Sequence, residues 1–226
     1  MPQLGLYTAT ENELGAVQRA AGQLETDLVV RSESDLDGEP AVDAFIEELT
    51  DATAVIFWLH GAEDSMPGYE RAVKRLREAG VPLVVKATGD TFAYEDTSVP
   101  DSDRETVYDY LEKGGASNVA NCLRFLLSQY GDVDPAYDDP VALPTEGVYH
   151  PDYPGASYEE LLATFSSDMP TVAVWFYESH WTHENTRYVD AQVRAIEAQG
   201  ANALPIFCEP ATDTDGQWSA EQVTEE

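Results

Sequence analysis

Basic side chains are scarce in this sequence. Its 226 residues include 12 lysines and arginines against 43 aspartates and glutamates, which gives a formal net charge of −31. Lysine is especially rare and occurs at three positions, Lys74, Lys86 and Lys113. Proteins that bind nucleic acid neutralise phosphates with clustered basic residues. Because the chain has no such cluster, the sequence predicts no nucleic-acid partner.

Disulfide and membrane signals are missing too. The two cysteines, Cys122 and Cys208, lie inside apolar stretches, which argues against a disulfide framework. No apolar run approaches the ~18 residues of a membrane span, and no basic segment followed by an apolar one opens the chain. We therefore expect a cytoplasmic protein with no membrane partner.

Nucleotide-binding motifs and common catalytic motifs are also absent. No G-x-G-x-x-G follows a predicted strand, and the sequence has no G-x-x-x-x-G-K-S/T, C-x-x-C or G-x-S-x-G pattern. These motifs supply the backbone cradles, thiol pairs and exposed nucleophiles of the corresponding sites. The chain by itself is therefore expected to bind neither a dinucleotide nor ATP.

The acidic residues are spread along the chain instead of forming one tail. A local acidic tail is typical of an interaction segment. An acidic coat around an ordinary apolar skeleton is typical of adaptation to high salt, where screening over about 3 Å at 1 M removes the self-repulsion. We interpret the composition as that of a halophile, such as a haloarchaeon.

Short apolar runs alternate with helical patterns through the first part of the chain. Such runs are typical of a parallel sheet covered by helices on both faces. The predicted strands are 4–8, 27–30, 54–59 and 81–85, and the predicted helices are 11–22, 41–49, 69–79, 104–112 and 118–130. With right-handed crossovers, this order predicts an α/β head domain over residues 1–130, Rossmann-like or flavodoxin-like in topology.

A second α/β unit is predicted after an acidic, proline-containing linker at residues 131–146. It would occupy residues 147–226, with a strand at 171–177, a helix at 185–199 and a strand at 203–208. Two parallel strands and one helix rarely bury enough surface to be stable alone. We therefore expect this unit to be the truncated beginning of a larger domain.

Candidate ligand groups follow the predicted strands, because ligands gather at the carboxyl ends of strands in parallel sheets. His60 follows the third strand, and Asp90 follows the fourth in a Gly-Asp turn. Each has a plain structural alternative. A histidine at the rim of a sheet can simply have its hydrogen bonds satisfied there, and Asp90 can form an Asx turn.

The strand at 171–177 ends at a group of polar residues. His180, His183 and Glu184 are side chains of the kind that bind Co²⁺ or Zn²⁺. Their spacing would bring them to one face only in a helix, and the next helix is predicted to begin near Asn185. The alternative is that Ser179 and Thr182 cap that helix while the histidines lie at the rim.

Three segments resemble one known family: YLEKGGASNVANCLRFLL at 110–127, GVYHPDYPG at 147–155, and PTVAVWFYESHWTHENTRYVDAQVRAIEAQGANALPIF at 170–207. They resemble the large subunit of cobaltochelatase, CobN, a family shared with the H subunit of magnesium chelatase. The resemblance implies the amino-terminal part of a tetrapyrrole-binding subunit. It implies that Co²⁺ is inserted into a corrin ring of the hydrogenobyrinic acid a,c-diamide type in cobalamin biosynthesis. A magnesium-chelatase subunit acting on protoporphyrin is the alternative.

The resemblance also implies the partners and the position of the site. AAA+ ATPase subunits would use the ATP that this chain does not bind, and the remainder of the large subunit would carry the catalytic residues beyond Glu226. Four residues of the family pattern are retained, and the resemblance places them at the substrate's edge: Ser179, His180, Asn185 and Thr186. Glu178 stands where the family has an arginine. A hypothesis of another class is a free-standing ligand-binding or sensor module, with its ligand at His60 and Asp90.

Overall fold

The computed structural model describes residues 3–87 and 95–208. The chain divides into two compact units, residues 1–142 and 143–226. The first unit therefore includes most of the segment predicted as a linker. Side-chain contacts attach that segment to the two helices that precede it. The Tyr110 hydroxyl, for example, donates to the Asp138 carbonyl at 2.6 Å, and the Asn118 side chain pairs with the backbone of Val141 at 2.8 and 3.0 Å.

The first unit contains a parallel four-stranded sheet, which confirms the predicted α/β class. Its strands are β1 (Gln3–Thr8), β2 (Asp27–Ser32), β3 (Ala54–Leu59) and β4 (Leu83–Ala87), in the order β2-β1-β3-β4. The fourth strand begins two residues later than predicted. Pro82, which has no N–H to donate, precedes it, and its carbonyl accepts the Val55 N–H at 2.9 Å.

Helices cover both faces of this sheet. They are α1 (Glu11–Ala21), α2 (Glu39–Leu49), α3 (Tyr69–Ala79), α4 (Asp101–Lys113) and α5 (Gly115–Tyr130). Side chains alternate across β3, so that Ile56 and Trp58 pack with α1, α4 and α5, while Val55 and Phe57 pack with α2 and α3. Every residue of β3 is buried, which explains why its sequence is apolar throughout.

In its described residues, 143–208, the second unit has a mixed sheet of three strands, one more than predicted. Its strands are β5 (Glu146–Val148), β6 (Thr171–Tyr177) and β7 (Asn202–Cys208), in the order β5-β7-β6. Strands β6 and β7 are parallel, whereas β5 pairs antiparallel with β7. The prediction missed β5 because three residues, Glu-Gly-Val, show no periodicity.

Up to residue 208, where the described part of this unit ends, three helices accompany the sheet: α6 (Tyr158–Leu162), α7 (Glu178–Thr182) and α8 (Arg187–Ala198). The first begins with a capping box, in which Ser157 and Glu160 each accept the other's backbone N–H. The second lies where the sequence predicted a loop before the helix, so that prediction is corrected: one helical turn follows β6 directly. No helix in the described ranges combines the length and apolar character that a membrane span requires.

Candidate functional site

The segment after β6 is ordered by backbone contacts. The chain turns into α7 at Tyr177, and the His183 N–H donates to the Ser179 carbonyl at 3.0 Å. Glu184 then adopts a left-handed conformation, with φ of 54°, and the Asn185 N–H donates to the His180 carbonyl at 2.7 Å. This left-handed residue ends α7 and redirects the chain into α8, in the way that a helix C-terminus is usually closed.

His180 is half-buried among aromatic rings. Its imidazole centre lies 5.2 Å from that of Tyr188 and 6.3 Å from that of Tyr177. Its Nδ1 is buried and has no hydrogen-bond partner within the part of the chain that the structure describes. Burial lowers the pKa of His180, so the ring is neutral near pH 7. A neutral imidazole can accept a proton or a hydrogen bond from a ligand.

His183 has a different role. It is 8% exposed, and its Nδ1 lies 2.8 Å from the Ser179 carbonyl oxygen, which makes Nδ1 the donor. In the same turn, the Thr182 hydroxyl donates to the Glu178 carboxylate. Thr182 therefore bonds within α7 and does not cap the next helix. His183 stabilises the end of α7.

The structure does not support a metal ion at His180, His183 and Glu184. No group of three or more histidine, cysteine, aspartate or glutamate side chains in residues 3–87 and 95–208 could hold one. The physical reason lies in the segment itself. The His180 ring packs among tyrosines, the His183 ring is bonded to its own helix, and Glu184 leaves the helix in a left-handed conformation.

Thr186 connects two of the segments that were recognised in the sequence. Its hydroxyl donates to the Tyr149 hydroxyl oxygen at 3.1 Å, and the Tyr149 hydroxyl donates to the Asp190 carboxylate at 2.7 Å. Thr186 is also the residue that precedes α8. This chain of hydrogen bonds fixes the start of α8 against the segment after β5. Asn185, next to it, is exposed.

The other predicted site residues belong to the first unit. His60 lies at the end of β3, is exposed, and its backbone N–H donates to the Ser65 hydroxyl at 3.3 Å. Asp90 lies outside the described residues. The structure therefore shows His60 at the carboxyl edge of the first sheet, where it was predicted.

Sequence reasoning missed a buried carboxyl group near His60. Glu13, in the first turn of α1, is 5% exposed, and its Oε2 has no partner among the described residues; the same holds for the Thr10 hydroxyl. Burial raises the pKa of Glu13, while its own backbone N–H and His60 act against this shift. The signal was available in the sequence: Glu13 lies one helical turn before the core residue Val17.

A buried lysine was missed as well. Lys86 in β4 is 2% exposed; its Nζ lies 3.2 Å from a Glu112 carboxylate oxygen and 4.7 Å from the centre of the Tyr108 ring. Its position in the apolar run VPLVVKA was the signal. Buried charges need pairing. The contacts with Glu112 and Tyr108 therefore explain how the charged side chain of Lys86 can be buried in β4, a strand at the edge of the sheet.

Comparison with known proteins agrees with this architecture. The chain is 30% identical over 213 residues to the aerobic cobaltochelatase subunit CobN of Pseudomonas aeruginosa, which covers 90% of this chain and 17% of that protein. It is 27% identical over 155 residues to the magnesium-chelatase H subunit of Chlorobaculum parvum, covering 64% of the chain and 11% of that protein. Among solved structures, the catalytic subunit of cobaltochelatase from Mycobacterium tuberculosis has the same fold, with a TM-score of 0.66 at 23% identity over 95% of this chain and 17% of that one.

The chain covers 17% of the Pseudomonas subunit, about a sixth of that protein's length. The family model described as CobN/Magnesium Chelatase matches residues 108–226, slightly more than half of the chain. This range contains all three sequence segments that carry the resemblance, and the second unit of the structure. By this match and by its 30% identity to the Pseudomonas subunit, the chain belongs to the CobN/magnesium chelatase family.

Proposed function

We propose that this chain is the amino-terminal part of the large, tetrapyrrole-binding subunit of an ATP-dependent cobaltochelatase. The full-length protein would hold a corrin ring of the hydrogenobyrinic acid a,c-diamide type while Co²⁺, its substrate metal, enters the ring in cobalamin biosynthesis. The observation that carries the proposal is the identity of 30% over 90% of the chain to a protein named as a cobaltochelatase subunit.

The ATP would be hydrolysed by separate AAA+ ATPase subunits. The sequence supports this division, because the chain has no phosphate-binding loop of its own. The partners of this chain would thus be those subunits, the corrinoid and the remainder of the large subunit. The acidic composition supports a further part of the proposal, that the enzyme works in the salt-rich cytoplasm of a haloarchaeon.

The segment from Ser179 to Thr186 is proposed as an edge of the substrate site. His180 is the side chain best suited to contact a ligand, since its neutral ring has a buried nitrogen without a partner in the described residues. Thr186 would act as a positioning residue, because its hydroxyl is bonded to Tyr149. Ser179, within α7, and Asn185, after it, would supply further polar groups.

The experiment compares His180→Ala with His183→Ala in the full-length parent protein. If His180 faces the substrate, His180→Ala lowers kcat/KM by about tenfold or more, which corresponds to ~1.4 kcal/mol. Its melting temperature should stay near that of the wild type. His183→Ala removes a contact inside α7 and should instead lower the melting temperature. Unchanged turnover in His180→Ala would refute the role proposed for this residue.

Two alternatives have their own discriminating measurements. The first alternative is a magnesium-chelatase subunit, supported by the 27% identity to the H subunit of that enzyme. Metal insertion assays with Co²⁺ and Mg²⁺, on a corrinoid and on protoporphyrin, distinguish a cobaltochelatase from a magnesium chelatase.

The second alternative, from another class, is a free-standing sensor module with a ligand near His60. A reading frame that continues beyond Glu226 favours the chelatase, and a stop codon there favours the sensor module.

A further inference from the structure

Strand β6 lies at one edge of the second sheet, in which the strand order is β5-β7-β6. It pairs with β7 on one side, and no strand of the described ranges pairs with it on the other. Five of its seven residues are exposed, so the strand is open to solvent. Such an edge presents backbone N–H and C=O groups to which another extended segment can bond. It is therefore a candidate interaction surface.

The three other strands at the sheet edges of the described residues have features that discourage such pairing. Strand β2 carries two charged residues, Asp27 and Arg31. The edge of β4 is covered by Ser98, which exchanges hydrogen bonds of 2.9 Å with the backbone of Leu83. Strand β5 is only three residues long. By contrast, β6 is seven residues long and has neither a charged residue nor a proline.

The contacts with β7 show which backbone groups of β6 point to the free edge. The Asn202 N–H donates to the Pro170 carbonyl at 2.8 Å, so the backbone of Pro170 faces β7. Backbone groups of successive residues in a strand point to opposite edges. The even-numbered residues of β6 therefore bond to β7. The odd-numbered residues present their N–H and C=O groups to the free edge: Thr171, Ala173, Trp175 and Tyr177.

The charge of the chain restricts what can pair with this edge. A net charge of −31 repels acidic segments, so the partner strand must be uncharged. Among the described strands, β6 is the one that is both uncharged and at a sheet edge. A second copy of the chain therefore supplies a suitable strand, because a two-fold axis brings the same edge of both copies together in antiparallel orientation.

We propose that two copies of this chain associate through their β6 strands, paired antiparallel about a two-fold axis at Val174. This register places Trp175 of each copy opposite Ala173 of the other, and Tyr177 opposite Thr171. A large ring then lies beside a small side chain at every position of the free edge, an arrangement that favours close packing across the strands. Trp175 and Tyr177 are 36% and 45% exposed, so both rings are accessible to a second copy.

Contacts within the second unit fix these two rings in place. Their centres lie 4.9 Å apart in an edge-to-face arrangement, and the Trp175 indole N–H donates to Sγ of Cys208 at 2.9 Å. A second copy would therefore meet side chains that are already ordered, which lowers the entropic cost of association. All residues of the surface belong to the second unit. The test does not depend on the chelatase proposal.

Sedimentation velocity on the 226-residue chain measures the association, over a series of protein concentrations in about 0.1 M and about 2 M KCl. We expect a dimer at high salt. The dissociation constant should be larger at low salt by about tenfold or more, because two acidic copies then repel each other. Hydrogen exchange locates the interface: in the dimer, the amides of the odd-numbered residues of β6 should become protected.

Two pairs of variants test the pairing itself. Ala173→Pro removes an N–H from the free edge without removing a bond to β7, and should weaken the dimer by about tenfold or more. Its control, Ala173→Thr, keeps the N–H and should not weaken it. Val174→Lys places two like charges on the axis and should abolish the dimer. Its control is Val141→Lys, at a valine of the first unit that is 60% exposed, and should leave the dimer intact.

Three results would each overturn the proposal. The first is a chain that stays monomeric at every concentration and at both salt concentrations, because the edge of β6 would then belong to another occupant. The second is a dimer that both Ala173→Pro and Val174→Lys leave unchanged, with melting temperatures showing that the variants are folded. The third is a dimer in which the odd-numbered amides of β6 gain no protection, because the copies would then meet elsewhere.

Discussion

At the scale of single residues, two buried charged side chains among the described residues of the first unit have contrasting surroundings. Lys86 is paired with Glu112 and lies over the ring of Tyr108. Glu13 has an oxygen with no partner among the described residues. A buried group without a partner costs free energy, whereas a paired one is largely compensated. A substitution that removes the charge of Glu13 should therefore make the protein more stable.

This expectation has a definite dependence on pH. Because burial raises the pKa of Glu13, its carboxyl binds a proton more tightly in the folded than in the unfolded chain. The folded state therefore loses stability as the pH rises from the ordinary glutamate value, about 4.3, through the raised pKa. Glu13→Gln removes this loss, so above that window the variant should be more stable than the wild type by about 1 kcal/mol.

Melting temperatures of both proteins between pH 4 and pH 7, in molar salt, check this prediction. The matched control is Glu70→Gln, which removes an exposed carboxylate from the first turn of α3. The melting temperature of Glu70→Gln should change with pH in parallel with that of the wild type. If the Glu13→Gln curve is also parallel, the carboxyl of Glu13 does not titrate differently in the folded state, and the interpretation of this residue is wrong.

At the scale of elements, the two parallel strands of the second unit are buried to very different degrees. All seven residues of β7 are buried, whereas β6 exposes 41% of Val172 and 45% of Tyr177. Parallel strands are usually covered on both faces. The exposed apolar strand fits a chain that spans about a sixth of a longer relative (17%).

Close packing of α2 on β1 gives a prediction for the first unit. A Cβ atom at Gly5 would collide with the Leu49 side chain and lie 3.1 Å from Cγ2 of Val55, both of them buried. Gly5→Ala should therefore lower the free energy of unfolding by about 1–3 kcal/mol, the usual cost of overpacking. Denaturant unfolding monitored by circular dichroism measures the change.

Gly22→Ala provides the control in the same unit. Gly22 has φ of −65° at the end of α1, and an added Cβ would meet no atom closer than 3.5 Å. This substitution should be neutral, or should stabilise by about 0.4–1 kcal/mol by restricting the unfolded chain. Equal stability of the two variants would show that Leu49 moves aside at no cost, against the close packing of α2 on β1.

At the scale of the whole molecule, the net charge of −31 dominates. Self-repulsion of this size destabilises a compact state, and salt screens it. Most of the ion pairs between described residues lie at the surface, where each contributes little. The melting temperature should therefore rise by about 10 °C or more between about 0.1 M and 2 M KCl, which corresponds to ~3 kcal/mol or more.

A charge-reduced variant separates screening from the general effect of salt on apolar burial. Four exposed acids can be changed to their amides: Glu63, Asp64, Asp132 and Asp168. This variant should melt at a higher temperature than the wild type at low salt, and the two should converge at high salt. A wild-type melting temperature that is constant over the salt range would contradict the halophile interpretation.

The sequence by itself determined the elements whose pattern is local. Strand β3 at 54–59 and helix α3 at 69–79 were predicted to the residue, because a buried parallel strand must be apolar throughout and an amphipathic helix repeats every 3.6 residues. The same patterns gave the parallel sheet of the first unit. The position of His180 just after a strand was also predictable, because the apolar run at 171–177 ends before it.

Only the tertiary structure decided the features that depend on distant partners. Strand β5 exists through its pairing with β7, about sixty positions later in the chain. The contacts of Thr186 with Tyr149, and of Trp181 with Phe207, join residues 37 and 26 positions apart. Packing also directed the rings of His180 and His183 to different neighbours, Tyr188 and the Ser179 carbonyl. Local periodicity cannot encode such contacts, since they arise only when separate elements meet.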